Sequence, residues 1–97
     1  MTNLLEEARE NIDDINRNIA DKVADRMEEV VKVVEYKEEQ DMNVKDEDRE
    51  EQVMQQFANL FEKRDLPRER GRQLGRLLID TAVDAEREAL DNRRGNK

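Results

Sequence analysis

From Leu4 to about Gln40 the chain contains neither proline nor glycine. Its apolar residues recur every three or four positions: Leu5, Ala8, Ile12, Ile15, Ile19, Val23, Met27, Val30 and Val34. That spacing keeps one side of a 3.6-residue helix apolar and predicts a single long amphipathic helix over 4–40. At ~1.5 Å per residue such a helix is roughly 55 Å long. A compact globule of this chain length has a radius of gyration of only ~12–13 Å. The helix therefore outreaches its own domain, and its stripe stays apolar as far as Val34. The simplest cover for the protruding part is a second copy of the chain. Three cations disturb the stripe: Arg9 and Arg26 lie beside it, and Lys37 stands where the next apolar residue is due. Cations at a buried seam are costly unless something anionic meets them.

The 97 residues make one domain at most. Charged residues are 45% of the chain and hydrophobic ones 35%, close to the composition of disordered proteins. The periodic arrangement of the apolar residues argues for folding, around a thin core. There is no cysteine and no histidine, which removes thiolate chemistry, the usual general base and the commonest metal ligand. No apolar run approaches a membrane span, and the acidic N-terminus does not resemble a signal peptide, so a cytoplasmic protein is expected. The net charge of −8 makes nucleic acid and anionic membranes poor partners. The bases are twelve arginines and six lysines. An acidic, lysine-poor surface suits a salt-loving organism such as a halophilic archaeon, where repulsion is screened within about 3 Å at ~1 M salt.

Beyond the long helix, 41–45 reads as a loop and Asp46 as an N-cap. Glu47, Asp48, Glu50 and Glu51 load the following helix start with the negative charge its dipole favours. This second helix is expected over 47–63, with Val53, Met54, Phe57, Leu60 and Phe61 as its buried side. A turn at 64–66 leads to Pro67, suited to the first position of a third helix over 67–90. Leu74, Leu77, Leu78, Ala82, Ala85 and Ala89 form the apolar side of that helix. Gly71 and Gly75 share its small-residue side, and a glycine pair inside a helix suggests close backbone approach. Residues 91–97 read as a frayed tail. No stretch alternates with period two, so the fold class is all-α: three helices per chain in a single domain, 1–97, forming an intertwined homodimeric bundle.

Arg26 and Lys37 are separated by only about 20° around the first helix and ~16 Å along it, so their long side chains can converge on one small anion. Arg9 is ~25 Å from Arg26 along the helix and about 100° away around it. It reaches such a site only on a partner chain. Taken singly, each of these cations is more simply read as a snorkelling surface residue. Glu50 alone reads as a helix N-terminal charge and Glu86 alone as surface, so the functional reading rests on the set.

The ordered series EARENIDDINRNIADKVADR, VEYK and VKDEDREEQV resembles the all-helical class of chorismate mutase over about residues 4–90. The matching positions are Arg9, Arg26, Lys37, Asp46, Arg49 and Glu50, with Asn16 in place of the acid that usually closes the Ile-Asp-rich run. The resemblance implies an intertwined dimer with two sites and a cofactor-free rearrangement of chorismate to prephenate, on the route to phenylalanine and tyrosine. It implies that Lys37 donates to the ether oxygen, that Arg26 and the partner's Arg9 hold the two carboxylates, that Glu50 and the Asp46 backbone hold the ring hydroxyl, and that Arg49 lines the pocket. Many relatives carry Gln where Glu86 stands, as a second donor to the ether oxygen; a Glu donates only when protonated. Relatives often have a hydroxyl or amide at the position of Ala82. Two alternatives stay open on sequence: an isochorismate-pyruvate lyase, which shares the fold and much of the site, and a non-enzymatic acidic helical dimer acting as scaffold or regulator. No metal or organic cofactor is expected in any of these.

Overall fold

The computed structural model describes residues 3–95. It contains three helices, α1 (Leu4–Glu39), α2 (Glu47–Glu62) and α3 (Arg68–Gly95), and no strand among the described residues. None of the helices is long and apolar enough to cross a membrane. α1 starts at Asn3, whose side chain accepts from the Glu6 amide at 2.8 Å, and Glu6 and Glu7 place negative charge at the positive end of the helix dipole. α2 starts as expected at Asp46, whose carboxylate accepts from the Arg49 amide at 3.1 Å.

α1 and α2 end in the same way. Asp41 (φ 55°) and Asp65 (φ 59°) adopt the left-handed conformation that reverses the chain after a helix. The Met42 amide returns to the Lys37 carbonyl at 2.8 Å and the Leu66 amide to the Phe61 carbonyl at 2.9 Å. These bonds satisfy carbonyls that the helix end would otherwise strand. α3 follows at once: Pro67 stands one residue before it, with its carbonyl accepting from the Arg70 and Gly71 amides.

α2 and α3 pack along their lengths, whereas α1 meets α3 over a shorter stretch. The buried apolar residues are Val34 of α1, Val53, Met54 and Ala58 of α2, and Leu78, Ile79 and Ala82 of α3. Three details differ from the sequence expectation. Leu77 is 61% exposed and Ile79 is buried in its stead, because α3 faces α2 and α1 one residue further round. Leu60 and Phe61 are only half-buried, since they lie near the end of α2 where α3 is just beginning. α3 also runs past Leu90 to Gly95, because neither proline nor glycine interrupts it after Gly75. Of the expected tail, 91–95 are thus helical and 96–97 lie outside the described residues.

The molecule measures 59 × 31 × 15 Å with a radius of gyration of 17.5 Å. This is well above the ~12–13 Å of a compact chain of the same length. The excess is α1: every residue from Asn3 to Lys22 is exposed, including Ile12, Ile15 and Ile19 at 54–55%.

The glycine pair does bring backbones together. A Cβ at Gly71 would lie 2.4 Å from the Phe57 carbonyl oxygen, and one at Gly75 would lie 3.0 Å from Met54 Cα. No glycine among the described residues has a positive φ, so these glycines are needed for space and not for backbone freedom. Alanine at either position gains about 1 kcal/mol of helix propensity. At Gly71 the clash is with backbone and outweighs that gain. Gly71→Ala is expected to lower stability by about 1–3 kcal/mol in urea denaturation. Gly75→Ala is expected to stay within about 1 kcal/mol of the parent, and the reverse order of the two would contradict this packing.

Candidate active site

Between the C-terminal half of α1, the loop 40–46 and the facing sides of α2 and α3 lies a cavity of about 740 Å³. That is a normal size for a small-molecule site. Arg26, Lys37, Asp46, Arg49, Glu50, Ala82 and Glu86 all line it. Arg9 does not; it is exposed on the bare half of α1. One chain therefore brings together every residue singled out from the sequence except Arg9.

Each side chain is delivered by a local feature. Arg26 and Lys37 come from the same side of α1, as their eleven-residue separation requires. Lys37 lies in the last turn of α1, and its Nζ donates to the Val44 carbonyl at 3.3 Å. The left-handed Asp41 makes this possible by folding the loop back across the helix end. The bond orients the ammonium and leaves it further donors for a ligand. The Asp46 carboxylate is committed to capping α2, so the contribution it can make to a ligand is through its backbone. Arg49 and Glu50 occupy the first turn of α2, where the helix dipole adds positive potential at the cavity wall.

Arg26 supplies the clearest sign of a ligand. Its Nη1 is buried and has no hydrogen-bond partner. A buried unsatisfied donor costs about 1–3 kcal/mol, and more when it is charged. An anion entering the cavity removes that cost. The site is thus shaped for a negatively charged guest while the chain as a whole is strongly acidic.

Glu86 faces this cationic wall from α3. Burial holds its carboxyl above the ordinary value of 4.5; Lys37 pulls it back down, and Glu50 pushes it up. Its protonated form is therefore favoured by folding. That contribution to stability is full below the unfolded-state value and is lost as pH rises through the folded-state one. Ala82 is buried beneath Glu86 and offers no polar group. Thr81 does not substitute for it, because its hydroxyl donates to the Leu77 carbonyl of its own helix at 2.8 Å.

Among the charged residues of the cavity wall that the sequence reading missed (Glu29, Lys45, Asp80, Arg87 and Arg76), the one that meets Glu50 directly is Arg76. Its Nη1 lies 3.4 Å from Glu50 Oε1 and 3.7 Å from Asp80 Oδ1. The spacing Arg76, Asp80, Val83, Arg87 marks one side of α3, and that pattern is the signal that would have found it.

Chemically, the cavity offers fixed cations for carboxylates, an ammonium and a protonatable carboxyl that can meet one ligand atom from two sides, and an acceptor in Glu50. It contains no cysteine or histidine nucleophile, since the chain has neither. The Glu86 carboxyl, followed by NMR, is expected to titrate above 4.5. Its midpoint should move further up in Lys37→Met and down in Glu50→Gln; shifts of the opposite sign would contradict the described arrangement.

Residues 8–87 match the family model described as chorismate mutase type II. No curated protein and no solved structure matches the chain.

Proposed function

The chain belongs to the chorismate mutase type II family and is an isomerase that converts chorismate to prephenate, and from this premise we propose how its residues divide the work. The unpartnered Arg26 Nη1 carries the proposal, because it sets a buried cationic donor beside Lys37 and opposite Glu86 in one cavity. Chorismate is a dianion whose two carboxylates suit guanidinium groups through charge-assisted, often bidentate bonds. Arg26 holds one of them, and Arg49 lines the same wall. Glu50 and the Asp46 backbone take the ring hydroxyl.

The reaction is unimolecular: the ether carbon–oxygen bond breaks as a new carbon–carbon bond forms across the folded substrate. No bond to the protein is required. The protein holds the compact pseudo-diaxial conformer, which is an orientation effect. It also stabilises the charge that grows on the ether oxygen as the bond stretches. Lys37 donates to that oxygen from α1, and Glu86, protonated, donates from α3. The raised Glu86 value is what makes a carboxyl serviceable as a donor there. Ala82 leaves the nearby carboxylate with one polar contact fewer than a hydroxyl would provide.

The second carboxylate falls to Arg9 of a partner chain. The exposed Ile12, Ile15 and Ile19 need cover, and Arg9 stands beside them, far from its own cavity. An intertwined dimer with two sites satisfies both requirements at once. Such a dimer doubles the −8 of one chain, and a dianionic substrate must approach it. Screening at high salt eases that approach, in keeping with a salt-loving archaeal source and a cytoplasmic location.

Lys37→Ala is expected to keep the helical fold and to lose turnover of chorismate by about 10²–10³-fold, the usual scale for removing one transition-state donor. Absorbance assays with chorismate and isochorismate check this and also separate the mutase from a lyase. Activity of the unaltered protein should decline as pH rises through the Glu86 value in the complex, because the ionised carboxylate no longer donates and repels the developing charge. Glu86→Gln should retain activity at higher pH, and an unchanged pH profile would remove Glu86 from this role.

A further inference from the structure

Glu50 is much less exposed than the ion-paired carboxylates elsewhere on the molecule. Its side chain is 20% exposed, against 72% for Asp14 in its surface pair with Arg17. A carboxylate withdrawn from water to this extent is costly unless a cation meets it. Arg76 does so across the α2–α3 interface, with Nη1 at 3.4 Å from Glu50 Oε1. The same guanidinium atom is steadied on its own helix by Asp80 one turn away, at 3.7 Å. Arg76, Asp80 and Glu50 all line the cavity.

We propose that Arg76 is a positioning residue for the reaction: anchored on α3 by Asp80, it holds the Glu50 carboxylate turned toward the ring hydroxyl of the substrate. The proposal rests on the function assigned above to this cavity. Arg76 touches Oε1, so Oε2 is the atom Glu50 presents to the hydroxyl.

A second ion pair supplies the comparison. One turn back along α3, Arg72 holds Glu51, the residue next to Glu50 on α2, through two bonds of 2.9 and 3.4 Å. This pair also ties α2 to α3, yet neither member lines the cavity. If Arg76 were simply a clamp between helices, it would behave like Arg72.

Arg76 also bears on Glu86. Charged groups around the cavity with Glu86 are Arg26, Glu29 and Lys37 from α1, Lys45 and Asp46 from the loop, Arg49 and Glu50 from α2, and Arg76, Asp80 and Arg87 on α3. Glu50 is the anion that raises the Glu86 value, and Arg76 balances Glu50. Removing Arg76 leaves that anion unbalanced.

The test compares Arg76→Gln, Arg76→Lys and Arg72→Gln in the full chain. Steady-state kinetics with chorismate are read together with the NMR titration of Glu86 and with urea denaturation. Arg76→Gln is expected to lower kcat/KM about tenfold, mainly through KM, as when a charge-assisted bond to substrate is loosened. Its Glu86 midpoint should move up. Arg76→Lys should recover most of both, and Arg72→Gln should change stability alone. The proposal is overturned if Arg76→Gln and Arg72→Gln lose stability alike and leave both kinetics and titration untouched. Absence of turnover by the unaltered chain would overturn the reaction assignment and with it the positioning role, while the titration would still report whether Arg76 and Glu86 are coupled.

Discussion

A helix of 36 residues cannot be buried by the two shorter helices that follow it, and the rest of the structure depends on that mismatch. Among the described residues only α3 packs against α1, over a short stretch of the C-terminal half of α1. That half carries Arg26 and Lys37 into the cavity, while the other half leaves an apolar stripe and Arg9 in water. The hydrophobic effect acts on the bare stripe at about 25 cal/mol per Å² of apolar area removed from water, so a second chain laid along it gains considerable stability. In the proposed dimer the same contact brings Arg9 within reach of the partner's substrate. In this account, one feature of α1 supplies both the reason to dimerise and the reason the site needs the dimer.

Charge balance within the cavity matters as much as its shape. The wall holds Arg26, Lys37, Lys45, Arg49, Arg76 and Arg87 against Glu29, Asp46, Glu50, Asp80 and Glu86. Desolvation penalises the less exposed of these charges, and they are met by different devices. Lys37 leans on the Val44 carbonyl, Glu50 on Arg76, and Glu86 by taking up a proton. Arg26 is left with an orphaned donor, the one we propose the substrate carboxylate meets. An active site that leaves one such donor unsatisfied binds its ligand in preference to water. Glu50 on α2 and Glu86 on α3 line the same cavity, close enough for Glu50 to push the Glu86 value up.

Much of this was legible in the sequence, for identifiable reasons. The apolar period gave α1 to within a residue, and Asp46 marked the start of α2, because capping and periodicity are local properties. The glycine pair announced a helix contact because glycine is otherwise unfavourable there. Arg26, Lys37 and Glu50 were found as matched positions and Glu86 as a departure from the family pattern, and folding brings them to one cavity. What was missed depends on neighbours distant in the chain. The exchange of Leu77 for Ile79 in the core follows from the rotation of α3 against α2, which one helix alone does not specify. Arg76 and Glu50 are 26 residues apart, so no spacing rule on a single helix links them. α3 extends to Gly95, past the expected end at Leu90, because position near a terminus does not by itself stop a helix.

The most direct test of the shared site mixes two inactive chains. Arg9→Ala and Lys37→Ala are unfolded together and refolded so that they exchange partners. In a mixed dimer one site carries both defects and the other carries neither. With random pairing, about a quarter of all sites are then intact, and chorismate turnover should return to about that share of the unaltered protein's. Mixed dimers that form and yet remain as inactive as either parent would show that Arg9 does not serve its partner's cavity, and a chain that stays monomeric while active would contradict the account altogether.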